Sequence, residues 1–563
     1  MIIGIDLGTT NSLVSIWQDG ESTLVKNLLG DFVTPSVVGV DDDGRIIVGA
    51  PAKDRLLTHP GRTVAVFKRL MGSNASIKIA DLVLKPQELS SFILKQLKED
   101  VEAFTGEKVS EAVITVPAYF NDTQRKMTKL AGRLAGLKVE RLLNEPTAAA
   151  LAYGLHEEKD NEILVFDLGG GTFDVSVLEM FDGIMEVRAS AGNNRLGGED
   201  FTRAIAQYFT EQLNHDGLIP SDRLHKLEPK ILAEAERAKV HLSTHHEYES
   251  HLVEDEKRFA ISITRQKFES VCESLLSQLQ QPILQALNDC SIAANQLDHV
   301  LLVGGATRMP IISKLVTKMF GVFPNKSLDP DQAVAKGAAI QAALKSQDES
   351  IEEVVLTDVC PYTLGIEVVT DTYDSKLVQG VFSPIIERNN TIPTSKMQTY
   401  YTANDNQESI NIKVFQGESR NTANNIYLGN VTVDVPKGLA GHQSIEVRFS
   451  YDTNGLLEVE ALVVQTAERT SSLIVTGEDD LNDEQVNKSL EKLKSLKIHP
   501  RESMENTSVL YRANRLYEQN IGEKRELVGR VVDYFTGILE SADEEKINAV
   551  REQVNRELDQ YEL

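Results

Sequence analysis

The sequence predicts an α/β protein of two related lobes, continued by an all-β sandwich and a short helical tail. Three observations carry that expectation. Two distant segments repeat one pattern: an apolar strand, an Asp, a turn rich in Gly and Thr, and a second strand. From residue 1 to about 345, strand and helix signals alternate. Beyond residue 359 the apolar pattern takes first a period of two and then a period near 3.6.

The repeated pattern comes first because it carries chemistry. One copy is Ile5-Asp6-Leu7-Gly8-Thr9-Thr10-Asn11-Ser12-Leu13-Val14, and the other is Phe166-Asp167-Leu168-Gly169-Gly170-Gly171-Thr172-Phe173-Asp174-Val175-Ser176-Val177. Each reads as a β-hairpin whose turn exposes backbone N–H groups. Glycine lets the main chain approach an anion closely, and successive N–H groups form an anion-binding concavity. The Asp beside each turn suits hydrated Mg²⁺. Two such turns facing each other would grip a nucleoside triphosphate from both sides. Ordinary tight hairpins explain the glycines but not the doubled Asp and Thr.

The remaining elements follow in order. Val113-Ile114-Thr115-Val116 is a strand stopped by Pro117, and Asp122 to Gly136 is a helix with Asp122 as N-cap and Gly136 as its stop. Ile163-Leu164-Val165-Phe166 and Val300-Leu301-Leu302-Val303 are continuous apolar runs, as in strands buried on both faces. Gly304-Gly305-Ala306-Thr307-Arg308 is a third Gly-rich turn leading into a helix. This mix implies α/β lobes with the ligand between them. Lys345 to Ser350 is polar; Ile351 to Asp358 then alternates acidic and apolar residues. A solvated linker has no need of Val354-Val355-Leu356, so this segment is expected to dock as an edge strand in one state and be free in another.

From 359 to 476 the signal is β. Ile410, Ile412 and Val414 alternate with polar residues, as do Val431, Val433 and Val435, and Ile445, Val447 and Phe449 lead to an Asn454-Gly455 turn. A compact sandwich without a catalytic cluster is expected. From 477 to 563 helical stripes appear: Val486, Leu490 and Leu493; Val531, Phe535, Ile538 and Leu539; Ile547, Val550, Val554 and Leu558. Their other faces are charged and rich in Glu, as in a small self-packed bundle and unlike a basic membrane-surface helix.

Composition narrows the function classes. At 563 residues several domains are expected. With 84 acidic against 58 basic residues the net charge is −26, which argues against nucleic acid or an anionic membrane as the main partner. Cys272, Cys290 and Cys360 show no metal spacing and point to a reducing compartment. No stretch approaches ~18 apolar residues and the N-terminus lacks a signal peptide's layout, so a cytoplasmic protein is expected. His241, His245, His246 and His251 cluster after a helix without ordered ligand spacing, which reads as polar surface.

These segments, with Val116-Pro117-Ala118-Tyr119-Phe120-Asn121-Asp122, Asn144-Glu145-Pro146-Thr147-Ala148-Ala149-Ala150, Leu302 to Arg308 and Asn389-Asn390-Thr391-Ile392-Pro393-Thr394, resemble the seventy-kilodalton heat-shock chaperones, the DnaK family. The resemblance runs the length of the chain in family order. The wording at Asp358 to Tyr362 and Phe382 to Arg388, and the short C-terminus, looks most like the bacterial HscC branch.

The resemblance implies an actin-like two-lobed ATPase domain over 1–350, a linker over 351–358, a peptide-clamping β-sandwich over 359–476 and a helical lid over 477–563. It implies ATP and ADP as ligands with Mg²⁺ held through water by Asp6 and Asp167. Lys68, Glu145, Thr172 and Asp174 would carry hydrolysis. Thr9, Thr10 and Gly169, Gly170, Gly171 and Thr172 would cradle the β- and γ-phosphates. Glu236, Lys239 and Ser243 would lie on the adenosine-binding helix, Arg308 would stack against adenine, and Gly8, Asn11, Gly197, Gly198, Gly304, Gly305 and Asp331 would also bind ATP. Pro117 and Arg125 would fall on a nucleotide-sensing relay, Arg141 on a J-protein contact, and Val354, Val355, Leu356 and Asp358 on the coupling linker. Ile366, Val369, Tyr400, Ala403 and Ile410 would line the peptide cleft. Hydrolysis of a phosphoanhydride is mostly positioning and charge neutralisation, which a Lys, a metal and carboxylates supply.

The implied partners are unfolded or specific client polypeptides and a J-domain co-chaperone, with the nucleotide-exchange factor left open and a monomer or weak dimer expected. Three departures from the family pattern stand out: Val240 where an Arg usually covers one adenine face, Ala306 for Ser, and Thr357 for Leu. A slow regulatory ATPase with a narrow client set and a metabolite kinase on the same scaffold are the alternatives. The β region and docking linker favour the chaperone.

Overall fold

A computed structural model describes residues 1–563 except 57, 155–160, 182–183, 216–220, 255–256, 326, 347, 349, 352–353, 372–376, 454, 456, 475–508, 510–512, 514–522, 540–543 and 559–563. The chain forms two compact units. One is Met1–Ile392 with Lys413–Gly429 and Thr453–Gly455; the other is Pro393–Ile412 with Asn430–Asp452 and Leu456–Leu563.

The first unit is built on two sheets of like design. In one, Ile2–Asp6 pairs antiparallel with Asn11–Gln18 and parallel with Glu111–Val116, which is followed by Lys138–Asn144. In the other, Asn161–Leu168 pairs antiparallel with Phe173–Phe181 and parallel with His299–Val303. The repeated motif is thus the central hairpin of each sheet. Apolar runs make these strands because both faces are covered: Ile3, Ile5, Leu164 and Phe166 are fully buried.

Two helices, Glu145–Ala152 and Ala333–Ser346, pack where the sheets approach. Small residues allow it. A Cβ at Gly337 would stand 1.7 Å from the Ala148 carbonyl oxygen, and one at Gly4 would stand 2.2 Å from the Ala339 nitrogen. Pro146 is tolerated in the first turn of Glu145–Ala152, where the helix needs no donor. Three apolar clusters form the core of this unit.

The helix predicted from Asp122 runs Asp122–Leu134, but its cap is Asn121, whose side chain accepts from the Gln124 N–H. Asp122 is instead its first residue and pairs with Lys126 at 2.6 Å. The two polar residues stand in sequence, and only the backbone reveals which is still extended. Gly136 ends the turn after it at φ 73°.

The Val354-Val355-Leu356 segment is docked. Val355–Val359 runs parallel to Ile184–Asn193, with Leu356 opposite Met185, and its end pairs with Thr391–Ile392. It therefore lies between two strands rather than at the free edge. Val354 and Leu356 pack on the core, while Val355 is 51% exposed. The chain's one tryptophan, Trp17, donates its indole N–H to the Ser350 hydroxyl at 3.1 Å, just before this strand.

Beyond it, Leu364–Asp371 pairs antiparallel with Leu377–Ile386 and with the end of Ser409–Gln416. Arg388 forks onto Asp289 at 2.8 and 2.9 Å and reaches Glu418 at 3.0 Å. The Tyr362 hydroxyl donates to the Tyr119 carbonyl at 3.0 Å. In the second unit, Thr394–Tyr401, Ser444–Tyr451, Leu457–Val463 and Glu468–Ile474 form an antiparallel sheet. Glu523–Leu539 and Glu544–Leu558 are helices whose predicted stripes, including Phe535, Ile547 and Val554, are buried together. The Val486, Leu490 and Leu493 stripe lies outside the described residues, as does Asn454. Among the described residues, no helix is long and apolar enough to cross a membrane.

Candidate functional site

The two repeated turns face each other across a cleft of about 1150 Å³. A Cβ at Gly170 would come within 2.4 Å of the Thr10 side chain, and one at Gly171 within 2.5 Å of Thr9. Glycine is required here because the opposite hairpin occupies the space. The second turn is strapped from behind: Gly198 N–H donates to the Gly169 carbonyl at 2.9 Å and Glu199 N–H to that of Gly170 at 2.8 Å. A Cβ on Gly197 would lie 2.6 Å from the Gly171 nitrogen. In the first turn the Gly8 carbonyl accepts from Ser36 at 2.8 Å, and Asn11 pairs with Pro35 behind it. Turn carbonyls are thereby engaged by the protein, and so are two turn amides: Gly8 N–H donates to Ser12 Oγ at 3.2 Å and Gly169 N–H to the Thr172 carbonyl at 3.1 Å.

Behind the turns lie Asp6, Glu145, Asp167 and Asp174, with one ammonium among them. Lys68, only 3% exposed, donates to Glu145 at 2.9 Å. It stands in a short 3₁₀ turn, Phe67–Leu70, entered through Val66 at φ 60°. A β-branched residue rarely adopts that conformation, and such outliers gather at functional sites. Burial first, then the Glu145 charge, pushes the Asp6 and Asp174 carboxyls up to about 7. The same causes raise Asp167 well above the carboxylate range. Asp174 takes a hydrogen bond from the Tyr119 N–H at 3.0 Å, while its Oδ2 has no partner.

Three buried acids and the half-buried Asp6 against one lysine leave negative charge that a dication would relieve, and the orphaned oxygen has room for a further partner. Among the described residues no three His, Cys, Asp or Glu side chains converge as direct metal ligands. The donor set therefore fits a cation held through water.

The other end of the cleft is more open. Lys239 donates to Gly198 O at 3.1 Å, Thr202 Oγ1 at 2.9 Å and Glu236 at 2.7 Å. Ser243 also lines this end, and Val240, 61% exposed, offers its apolar face to the cleft. Across from them Arg308 lies on the third Gly-rich turn and binds Asp331 at 2.9 Å and Asp329. Gly305 lies tight on Asp331, where a Cβ would be 2.5 Å from Oδ1. Ala306 is nearly buried, and a Cβ on Gly198 would meet its methyl at 3.2 Å.

A chain of polar contacts leaves the phosphate end. Arg125 donates to the carbonyls of Phe120 at 3.1 Å and Ala118 at 3.0 Å and to Asn144 Oδ1 at 2.7 Å. Asn144 in turn donates to Asp358 on the docked strand. Burial raises the Asp358 carboxyl, with Arg125 opposing. Asn144 directly precedes Glu145, so Lys68, Glu145, Asn144 and Asp358 form one connected path. Pro117 begins the turn that carries these carbonyls. Arg141, half-buried, donates to Gln341 at 2.9 Å.

The remaining expected residues lie elsewhere. Ile366, buried, and Val369, partly exposed, are on Leu364–Asp371 of the first unit. Tyr400, Ala403 and Ile410 belong to the second. Sequence reasoning missed Asn144, Thr202, Asp329 and Arg69. Arg69 donates to the Gly171 carbonyl at 2.9 Å and to Asp200 at 2.6 Å, bridging the two hairpins' surroundings. Its place beside Lys68 was the available signal. Among the described residues His241 and His245 stack at 3.9 Å.

Comparison with known proteins gives the family. The family model described as Hsp70 protein matches residues 2–562. Chaperone protein DnaK of Thermotoga neapolitana is 40% identical over 99% of this chain and 93% of its own length. Chaperone protein DnaK of Thermotoga petrophila and that of Thermotoga maritima match with the same identity and coverage. With a family model spanning nearly every residue and relatives covered almost end to end, the chain belongs to the Hsp70 family.

Proposed function

We propose that the cleft holds ATP with its phosphates between the two hairpins, and that Lys68, Glu145, Thr172 and Asp174 carry its hydrolysis. The protein is an ATP-dependent molecular chaperone that binds ATP and ADP with Mg²⁺. The observation that carries the residue assignment is the buried Lys68–Glu145 pair set among Asp6, Asp167 and Asp174, directly behind two facing Gly-Thr turns.

Asp6 and Asp167 would hold the hydrated ion. Bound Mg²⁺ supplies charge neutralisation to the β- and γ-phosphates. Lys68 places its ammonium against developing charge, and Glu145 fixes that ammonium while Asp174 orients the attacking water. Thr9, Thr10 and Gly169 to Thr172 position the phosphates with backbone N–H groups.

We assign 1–350 to the nucleotide-binding domain, 351–358 to the linker, 359–476 to peptide binding through Ile366, Val369, Tyr400, Ala403 and Ile410, and 477–563 to a lid. Client polypeptides follow from the family; a J-domain co-chaperone meeting Arg141, a cytoplasmic location and the HscC branch are our finer reading. Hydrolysis rates with candidate J-domain proteins, together with binding to a peptide array, test it. Stimulation by a J-domain protein and release of bound peptide on adding ATP are expected. Transfer of phosphate to a small hydroxylated metabolite, with neither effect, would overturn it.

A further inference from the structure

Arg308 does not stand free in the cleft. Its Nε and one terminal nitrogen both bind Asp331 Oδ2 at 2.9 Å, and that terminal nitrogen also reaches Asp329 Oδ1. Asp329 Oδ1 further accepts the Asp331 N–H at 3.0 Å. The loop carrying both acids is fixed to the third Gly-rich turn, since Gly304 N–H donates to the Pro330 carbonyl at 3.0 Å. Gly304 itself presses on the second phosphate hairpin: a Cβ there would lie 2.4 Å from the Leu168 carbonyl oxygen. Arg308 is thus clamped in a plane set by a loop that is tied to the phosphate site.

A long arginine gives up rotamer freedom when it is ordered. The opposite wall at Val240 can grip a base only through a small apolar contact. A base held on one flat face depends on that face being ready before it arrives. We infer that Asp329 is a positioning residue for nucleobase binding, which orders the Arg308 guanidinium through its acceptor oxygen. This rests on the reading that Arg308 faces the base.

Two variants separate geometry from charge. Asp329→Asn keeps an acceptor at Oδ1, whereas Asp329→Ala removes it. Affinities for Mg·ADP and for Mg·pyrophosphate are measured in both, and in Arg308→Ala with and without Asp329→Ala. Asp329→Ala should weaken ADP three- to tenfold and leave pyrophosphate unchanged, a split that general misfolding would not give. Asp329→Asn should recover most of that loss, and Asp329→Ala should add nothing to Arg308→Ala. Equal loss in the Asn and Ala variants, or loss for pyrophosphate as well, overturns the inference. If Arg308→Ala weakens ADP but Asp329→Ala does not, the inference alone falls. If Arg308→Ala leaves ADP affinity intact, the placement of the base falls with it.

Discussion

The two ends of the cleft are built on opposite principles. At the phosphate end, glycines bring two hairpins into contact, Lys68 and Glu145 are buried together, and three further acids surround them. At the base end, Arg308, Glu236 and Val240 are substantially exposed, and Val240 offers one small apolar surface. The first arrangement fixes charges where water cannot screen them, so single changes there act strongly. The second leaves its contacts in partial solvent, where each is worth less. On the assignment proposed above, the first end would set the chemistry and the second the time for which nucleotide stays.

The sharpest break of that contrast is Lys68→Ala. Single-turnover hydrolysis should fall at least tenfold, about 1.4 kcal/mol of barrier. Wild-type turnover in this variant would show that the buried end is not the chemical one. Next comes the docked strand, which connects to Glu145 through Asn144 and Asp358. Leu356→Asp would place a charge at a partly buried position against the core. It should abolish ATP-driven peptide release while ADP affinity changes less than twofold. Val355→Asp, at a half-exposed site, should do much less. If Leu356→Asp leaves ATP-driven release intact, the strand is not the coupler.

The raised carboxyls give a pH signature. With native values near 7 against the usual 3.8 for Asp6 and Asp174, the folded site without nucleotide bound would hold protons that the unfolded chain has lost. Stability of the nucleotide-free protein should therefore decline as pH rises from about 4 to about 7. Mg·nucleotide needs the ionised acids, so its affinity should rise over the same range with release of protons. Calorimetry in two buffers of different ionisation enthalpy measures that release; none between pH 6 and 7.5 would contradict the raised values.

The smallest effect lies at the base end. A guanidinium at position 240 would add a second stacking face worth ~1 kcal/mol. Val240→Arg should slow ADP release several-fold in stopped flow with labelled nucleotide. An unchanged off-rate would mean that this side chain does not touch the base.

Much of the fold was legible because local chemistry and tertiary demand agree. The Asp-Gly-Thr hairpins and the continuous apolar strands read correctly from spacing; the apolar linker was expected at a sheet edge, whereas its strand lies between two others. What spacing could not give was contact between residues far apart in sequence. Asn144 reads as part of a helix start, and nothing local says that its amide bridges Arg125 and Asp358. Asp329 reads as a turn residue, and its bond to Arg308 spans two separate loops. The sequence also treats Val355 and Leu356 alike, because facing is decided by the neighbouring strand. The Asn121 cap was missed for a smaller reason: two adjacent polar residues compete, and one backbone angle decides.

Trp17 has a practical consequence of an optical kind. It is the chain's sole tryptophan, and its indole is hydrogen-bonded to Ser350 at the root of the docked strand. The protein's intrinsic ultraviolet emission therefore originates largely at that one junction. Movement of the strand would change the polarity around a single emitter, so any such movement can be followed in real time without attaching a dye.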